Sequence, residues 1–243
     1  MFKRNAAFAA AALAITGGLA IGPLTERDKA NPVTEFDDAR LKIETNATDG
    51  DAGLQVFADA DAWAEITITN PAGKKVIAVK AERVIRDYGL TELFSESSEP
   101  PFTEFPFEEF KRLFPEGTYT FTGKTTEGDR LRSTFTLSHR VPDGPRISSP
   151  VRGATIARAE LIVEWRPVTT PSGIDVVAYQ VLVVDEKPGL GNPKRVFDAV
   201  LPGSVNRLPI PAAFLTPGDY KAEVLAIERN GNQTPTEVAF VIR

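Results

Sequence analysis

Apolar residues in the C-terminal part of this chain return every second position, and that period limits what it can fold into. Leu161, Val163 and Trp165 fall on one side of an extended segment, with Ile162 and Glu164 on the other. Val177, Tyr179, Val181 and Val183 repeat the alternation. So do Tyr220, Ala222, Val224 and Ala226, and then Val238, Phe240 and Ile242. Between these runs stand Pro171-Ser172-Gly173, Lys187-Pro188-Gly189, Pro217-Gly218 and Asn230-Gly231-Asn232, all residues that turn a chain. A helix cannot satisfy this pattern, because its apolar stripe returns about every 3.6 residues. Short strands separated by such turns predict an all-β sandwich.

The same residues carry a resemblance to the fibronectin type III domain. Leu161-x-Val163-x-Trp165 is similar to that family's second strand, whose Trp fills the centre of the core. Val176-x-x-Tyr179-x-Val181 is similar to the third strand, and Val224-x-Ala226 followed by Gly231 to the sixth strand and its turn. Leu215-x-Pro217 leading to Tyr220 resembles the tyrosine corner, in which the hydroxyl bonds back to the chain. The gap from Pro217 to Tyr220 is one residue shorter than the family's usual spacing. The resemblance covers residues 146–243 and implies a module that binds or spaces rather than one that catalyses.

The first half repeats the signal more faintly. Leu113-Phe114-Pro115 leads to Tyr119 as Leu215-Thr216-Pro217 leads to Tyr220, and Tyr119, Phe121 and Gly123 then alternate. A turn at Glu127-Gly128-Asp129 precedes the alternating Leu131, Ser133, Phe135 and Leu137. Upstream, Leu54–Phe57 and Ala64–Ile68 read as two strands, and Asn70-Pro71-Ala72-Gly73 turns the chain into Lys75–Val79. The expectation is a second sandwich over residues 34–140, Ig-like or jelly-roll, with a proline-bearing linker at 141–145 that holds the two in a semi-rigid line. The fold class is therefore all-β: two tandem β-sandwich domains, Ig-like and fibronectin type III-like, after a signal peptide, with one short helix in the first domain.

That signal peptide is read in residues 1–20. Lys3 and Arg4 precede the apolar run Ala6–Ala14, and Gly17-Gly18-Leu19-Ala20 offers small residues for cleavage. Cleavage is expected over retention as an anchor, because the apolar stretch is short and broken by glycines. The expected address is exported, periplasmic or secreted, with no transmembrane segment in the mature chain. The chain has no Cys, so it carries neither a disulfide nor a lipobox cysteine for a lipid anchor. Its net charge is −5, more negative once Lys3 and Arg4 leave, which argues against nucleic acid and anionic membrane surfaces as partners.

No catalytic set emerges. His139 is the single histidine and no Gly-x-Ser-x-Gly elbow is present, so His139 reads as an exposed linker residue, and a zinc site of the usual ligands is ruled out. Carboxylates are plentiful, but no spacing recommends a hydrolytic pair. Asp49 and Asp51, with Asp59 and Asp61 nearby, are weak calcium candidates, and ordinary turn chemistry accounts for them better. The segment from Ser95 to Pro115 holds Phe102, Phe105, Phe107, Phe110 and Phe114 among glutamates. Pro106 suits the first turn of a helix, and Phe107, Phe110 and Phe114 share one helical face. That face is expected to plug the open end of the first sandwich, leaving Phe102 and Phe105 as the exposed pair for a protein or cell-surface partner. Trp63 and Trp165 are expected in the cores. The function expected is a non-enzymatic interaction or spacer protein; the alternatives are a carbohydrate-binding accessory protein and a carboxylate-based hydrolase.

Overall fold

Alternation becomes strand throughout most of residues 32–187 and 194–243, the part of the chain that the computed structural model describes. The expected signal peptide lies outside these described residues. The first half runs β1 (Val33–Thr34), β2 (Asp38–Asn46), β3 (Asp51–Thr69), β4 (Lys75–Lys80), α1 (Val84–Tyr88), β5 (Leu90–Glu96), α2 (Phe107–Leu113), β6 (Gly117–Thr125) and β7 (Arg130–Leu137). The second half runs β8 (Arg146–Ser149), β9 (Thr155–Ile156), β10 (Ile162–Arg166), β11 (Val176–Asp185), β12 (Lys194–Pro202), β13 (Arg207–Pro209), β14 (Gly218–Glu228) and β15 (Gln233–Ile242). Among the described residues, no helix is long and apolar enough to cross a membrane.

In the second half β10 pairs with β8 and β13 in one sheet, and the other runs β12-β11-β14-β15, all antiparallel. The inward residues are those that the alternation picked out: Trp165 is 1% exposed, its ring centroid 5.2 Å from that of Tyr179, and Tyr220 stacks near Phe240. Val177 is the exception. A register shift between Val176 and Ala178 turns it outward.

The first half has the same pairs, one for one, but reaches them with fewer strands. The start of β3 pairs with β2 and β5, its end pairs with β4 and β6, and β6 pairs with β7. This settles the module as Ig-like rather than jelly-roll. Where the sequence suggested two strands, a single 19-residue strand passes between the sheets. The pairing with β5 slips between Asp59 and Trp63, and the small residues Ala58, Ala60 and Ala62 sit where the strand crosses. Gly89 packs against this bend; a Cβ there would lie 2.6 Å from the Ala62 methyl.

Trp63, fully buried, centres this core with Ile66, Ile68, Tyr119 and Phe121. The helix α2 closes it, as expected: Phe110 is buried, and Phe102, Phe105, Phe107 and Phe114 pack around it. Each ring fully withdrawn from water contributes about 1.5–3 kcal/mol. Both tyrosine corners form. The Tyr220 hydroxyl accepts from Thr216 N at 3.0 Å, and the Tyr119 hydroxyl donates to Pro115 O at 3.0 Å. The shortened spacing before Tyr220 leaves the return bond intact.

The cores are separate, yet residues 32–243 form one compact unit. The strand β15 joins the first module through a parallel bridge between Gln233 and Glu44 on β2. Asn232, 1% exposed, accepts from Ile43 N at 2.8 Å and donates to Ser138 O and Arg140 O at 2.7 and 2.8 Å. The Thr234 hydroxyl donates to Pro142 O, and Ala47 N bonds to Pro235 O. Gly144 passes so close that a Cβ would lie 2.3 Å from the Ala47 methyl. The linker is clamped on both sides, and the sheet β1-β7-β6-β3-β2-β15-β14-β11-β12 runs unbroken through both modules.

Candidate functional site

Buried polar residues are uncommon enough to mark where a fold does something beyond packing. Those among the described residues are Gln55, Glu228, Asn232, Gln233 and Thr234, gathered at the junction and on the outer face of the sheet β2-β3-β5. Strand register builds that face in rows. Lys42, Gln55 and Glu96 form one, Arg40, Phe57 and Phe94 the next, and Asp38, Asp59 and Glu92 the last. A further row begins with Glu44 opposite Gly53, and there the chain beyond β5 lays Glu99 across the strand. A Cβ on Gly53 would sit 2.4 Å from a Glu99 carboxylate oxygen, so a larger residue there would push the Glu99 side chain off the strand.

The result is a triangle of carboxylates, Glu44, Glu96 and Glu99, with oxygens within 4.8 Å of one another. Gln55 Nε2 donates to Glu96 at 2.6 Å, and Gln233 Nε2 donates to Glu44 while its own oxygen accepts from Lys42 Nζ at 3.1 Å. Burial, then the charges of Glu96 and Glu44, push the Glu99 carboxyl up to about 7. Burial also raises Glu44, with Gln233 and Lys42 opposing it. Hard cations take such oxygen ligands, so among the described residues Glu44, Glu96 and Glu99 are the group whose geometry could hold one.

Beside the triangle the face becomes apolar. Arg40 stacks over the Phe57 ring at 4.8 Å, and Phe94 is 63% exposed. A groove of about 340 Å³ lies between Phe57 and Phe94 of the first module and Gln180, Ile227 and Gln233 of the second.

The residues expected from sequence fall elsewhere. Phe102 and Phe105 are half-buried against the first core instead of exposed, because Phe102 N is tied to Gly50 O and its ring meets Phe107. The four calcium candidates do not converge. Asp51 opens β3 and Asp59 lies eight residues along it, about 26 Å away at strand rise. Asp49 caps a turn by accepting from Asn46 Nδ2, and Asp61 is exposed at the bend. Asp51 does border the carboxylate triangle, and burial with the Asp49 charge raises it. His139 is not a free linker residue; it is half-buried with Nε2 2.8 Å from Phe114 O, at the end of α2. Neither the carboxylate triangle nor Asn232 was visible to sequence reasoning. Gly53, just before the strand read at Leu54–Phe57, was the one local trace; the structure places it inside β3, where a glycine often marks a close approach.

No protein-family model matches the chain, and no curated protein matches it. Among solved structures it is similar to the chicken CNTN1 FN1-FN3 domains, at 15% identity and a TM-score of 0.36, covering 88% of this chain and 66% of that one. A tetra-tandem repeat in the extending region of a large adhesion protein matches at 14% and 0.29, covering 85% and 50%. CopC from Methylosinus trichosporium OB3b matches at 15% and 0.30, covering 40% and 92%. The chain thus spans less than two thirds of the length of the first two.

Proposed function

We propose that this protein is an exported, non-enzymatic module that binds a protein or cell-surface partner through the outer face of β2-β3-β5 beside the junction. The observation that carries the reading is that face itself, where Phe94 stands exposed in a row with Phe57 and Arg40 and the clamped second module walls one side. Rigid attachment holds the face in a fixed frame, so a partner does not have to immobilise two loose domains. Export rests on the basic and apolar start of the sequence. The test is cross-linking capture from envelope and culture fractions with the protein from Gly22 onward, beside a Phe94→Asp variant. A specific partner lost in the variant supports the reading; a partner retained unchanged moves the site off this face.

A carboxylate-based hydrolase is a second reading, favoured by one observation, the Glu99 carboxyl raised to about 7 beside those of Glu44 and Glu96. Turnover of a polysaccharide or peptide substrate abolished by Glu99→Gln would establish it. Retention on insoluble polysaccharide without turnover would favour carbohydrate binding instead.

A further inference from the structure

Among the described residues, the strand β5 is the edge of its sheet and pairs with β3 alone. Just beyond it, Ser97 N bonds to Leu54 O. Counting back by two, Ser95, Leu93 and Thr91 direct their backbone groups toward β3, so Glu92, Phe94 and Glu96 direct theirs to the open side. The side chains of these same three residues stand on the outer face. Sheet edges are ordinarily blunted or covered, because unpaired N–H and C=O groups recruit another strand. This edge instead continues an exposed apolar stretch: Val84 and Tyr88 of α1 are 83% and 85% exposed, and Phe94 follows.

We propose that the open edge of β5 is a strand-docking site for an extended segment of a partner protein whose alternate residues read basic, apolar, basic. The proposal rests on the reading of this face as a binding surface and names the partner's chemistry. An added strand takes its main-chain bonds from Glu92, Phe94 and Glu96 and sets its alternate side chains about 4.5–5.5 Å from theirs. An apolar residue then covers Phe94, and the residues two before and two after it face carboxylates. Nearby acidity extends this bias, because Asp59 lies beside Glu92, and Glu99 with Glu44 lies beside Glu96. Arg40 and Lys42 sit on β2, two strands from the edge, and their charges are already engaged with Asp38 and Gln233. A second copy of β5 is a poor occupant. Antiparallel self-pairing centred on Phe94 sets Glu92 against Glu96, and like charges directly opposite destabilise a pair.

The experiment selects displayed random peptides of about nine residues, long enough for one strand, on the intact protein. The expected winners alternate basic, apolar, basic. Phe94→Pro is the decisive variant: proline removes the outward N–H and leaves the bonds to β3, so the protein folds and the peptides lose at least tenfold in affinity, roughly the worth of one good contact. Glu92→Lys with Glu96→Lys inverts the selected charges. Winners without alternation, or binding unchanged in the Phe94→Pro variant with melting intact, overturn the proposal. If a partner is captured whose binding needs Phe57 but survives Phe94→Pro, strand docking fails while the binding-face reading stands. If nothing binds either variant or the parent protein, both fall.

Discussion

In the second module, β10 and β11 lie in opposite sheets and residues 167–175 carry the chain between them. In the first module β3 does both jobs, with a bend through Ala60 to Ala62 in place of the loop. The pairing is the same in both, and so is the tryptophan, placed at the crossing: Trp165 is the last but one residue of β10, and Trp63 follows the bend. Each indole Nε1 is enclosed and bonds to nothing among the described residues. An Ig-like sandwich therefore tolerates losing a loop if small residues let the strand turn. It does not forgo a large aromatic where the two sheets diverge. What the first module gives up is a loop that could carry function, and its distinctive surface lies instead on the outer sheet face that β3 supports.

The largest expected effects break this comparison at its centre. Trp63→Ala and Trp165→Ala each cost about 3–5 kcal/mol, the range for truncating a buried large aromatic. Chemical melts check both. A loss below about a kilocalorie at Trp165 would refute its place at the centre of the second core, and a much smaller loss at Trp63 would make the bend self-supporting. Next is the joint between the modules. Asn232→Ala strands Ile43 N and Ser138 O, leaves Arg140 O to Asn230 Nδ2 alone, and costs about 2–3 kcal/mol. Calorimetry should show a single transition splitting in two as the sandwiches come apart; one unsplit, unshifted peak would mean the cores are coupled by other contacts.

Smaller effects sharpen the comparison. Tyr119→Phe removes one corner bond, worth about 1 kcal/mol, while Tyr220→Phe removes the bond from Thr216 N and a longer one with Thr216 Oγ1, so it should cost the same or slightly more. Urea midpoints that differ widely would show that the corners are not equivalent. Smallest is Glu99→Gln. The carboxyl titrates near its ordinary 4.5 when unfolded and at about 7 when folded. The unfolded chain therefore gives up its proton first, and stability falls as pH rises between those values. The substitution should gain about 1 kcal/mol above pH 7, allowing for screening at a partly exposed group, and nothing below pH 4.5. Melting temperatures at the two extremes decide it; equal shifts at both would mean that Glu99 is not held by the other carboxylates.

Sequence showed most clearly where packing is local. Tyr179, Val181, Tyr220, Val224 and Phe240 were placed inside by alternation alone, and the phenylalanine spacing foretold that α2 plugs the first core. Elsewhere the signal failed for identifiable reasons. β5 is half acidic and exposed on its outer face, so it shows little alternation of hydrophobic character. α1 buries none of its residues and leaves no amphipathic stripe. Phe102 and Phe105 stand before the helix, with nothing in their spacing to show that a bond to Gly50 would fold them inward.

By itself, then, the sequence determined a chain of short strands, two tryptophan-centred cores and two tyrosine corners, because each follows from side chains a few positions apart. Tertiary structure alone decided that β3 serves both sheets, that Asn232 locks the modules together, and that Glu44, Glu96 and Glu99 meet over Gly53. The joint between β2 and β15 links residues 189 positions apart, as Thr45 meets Thr234. Burial at such a distance depends on which surfaces face each other once both sandwiches exist, and no local period carries that information.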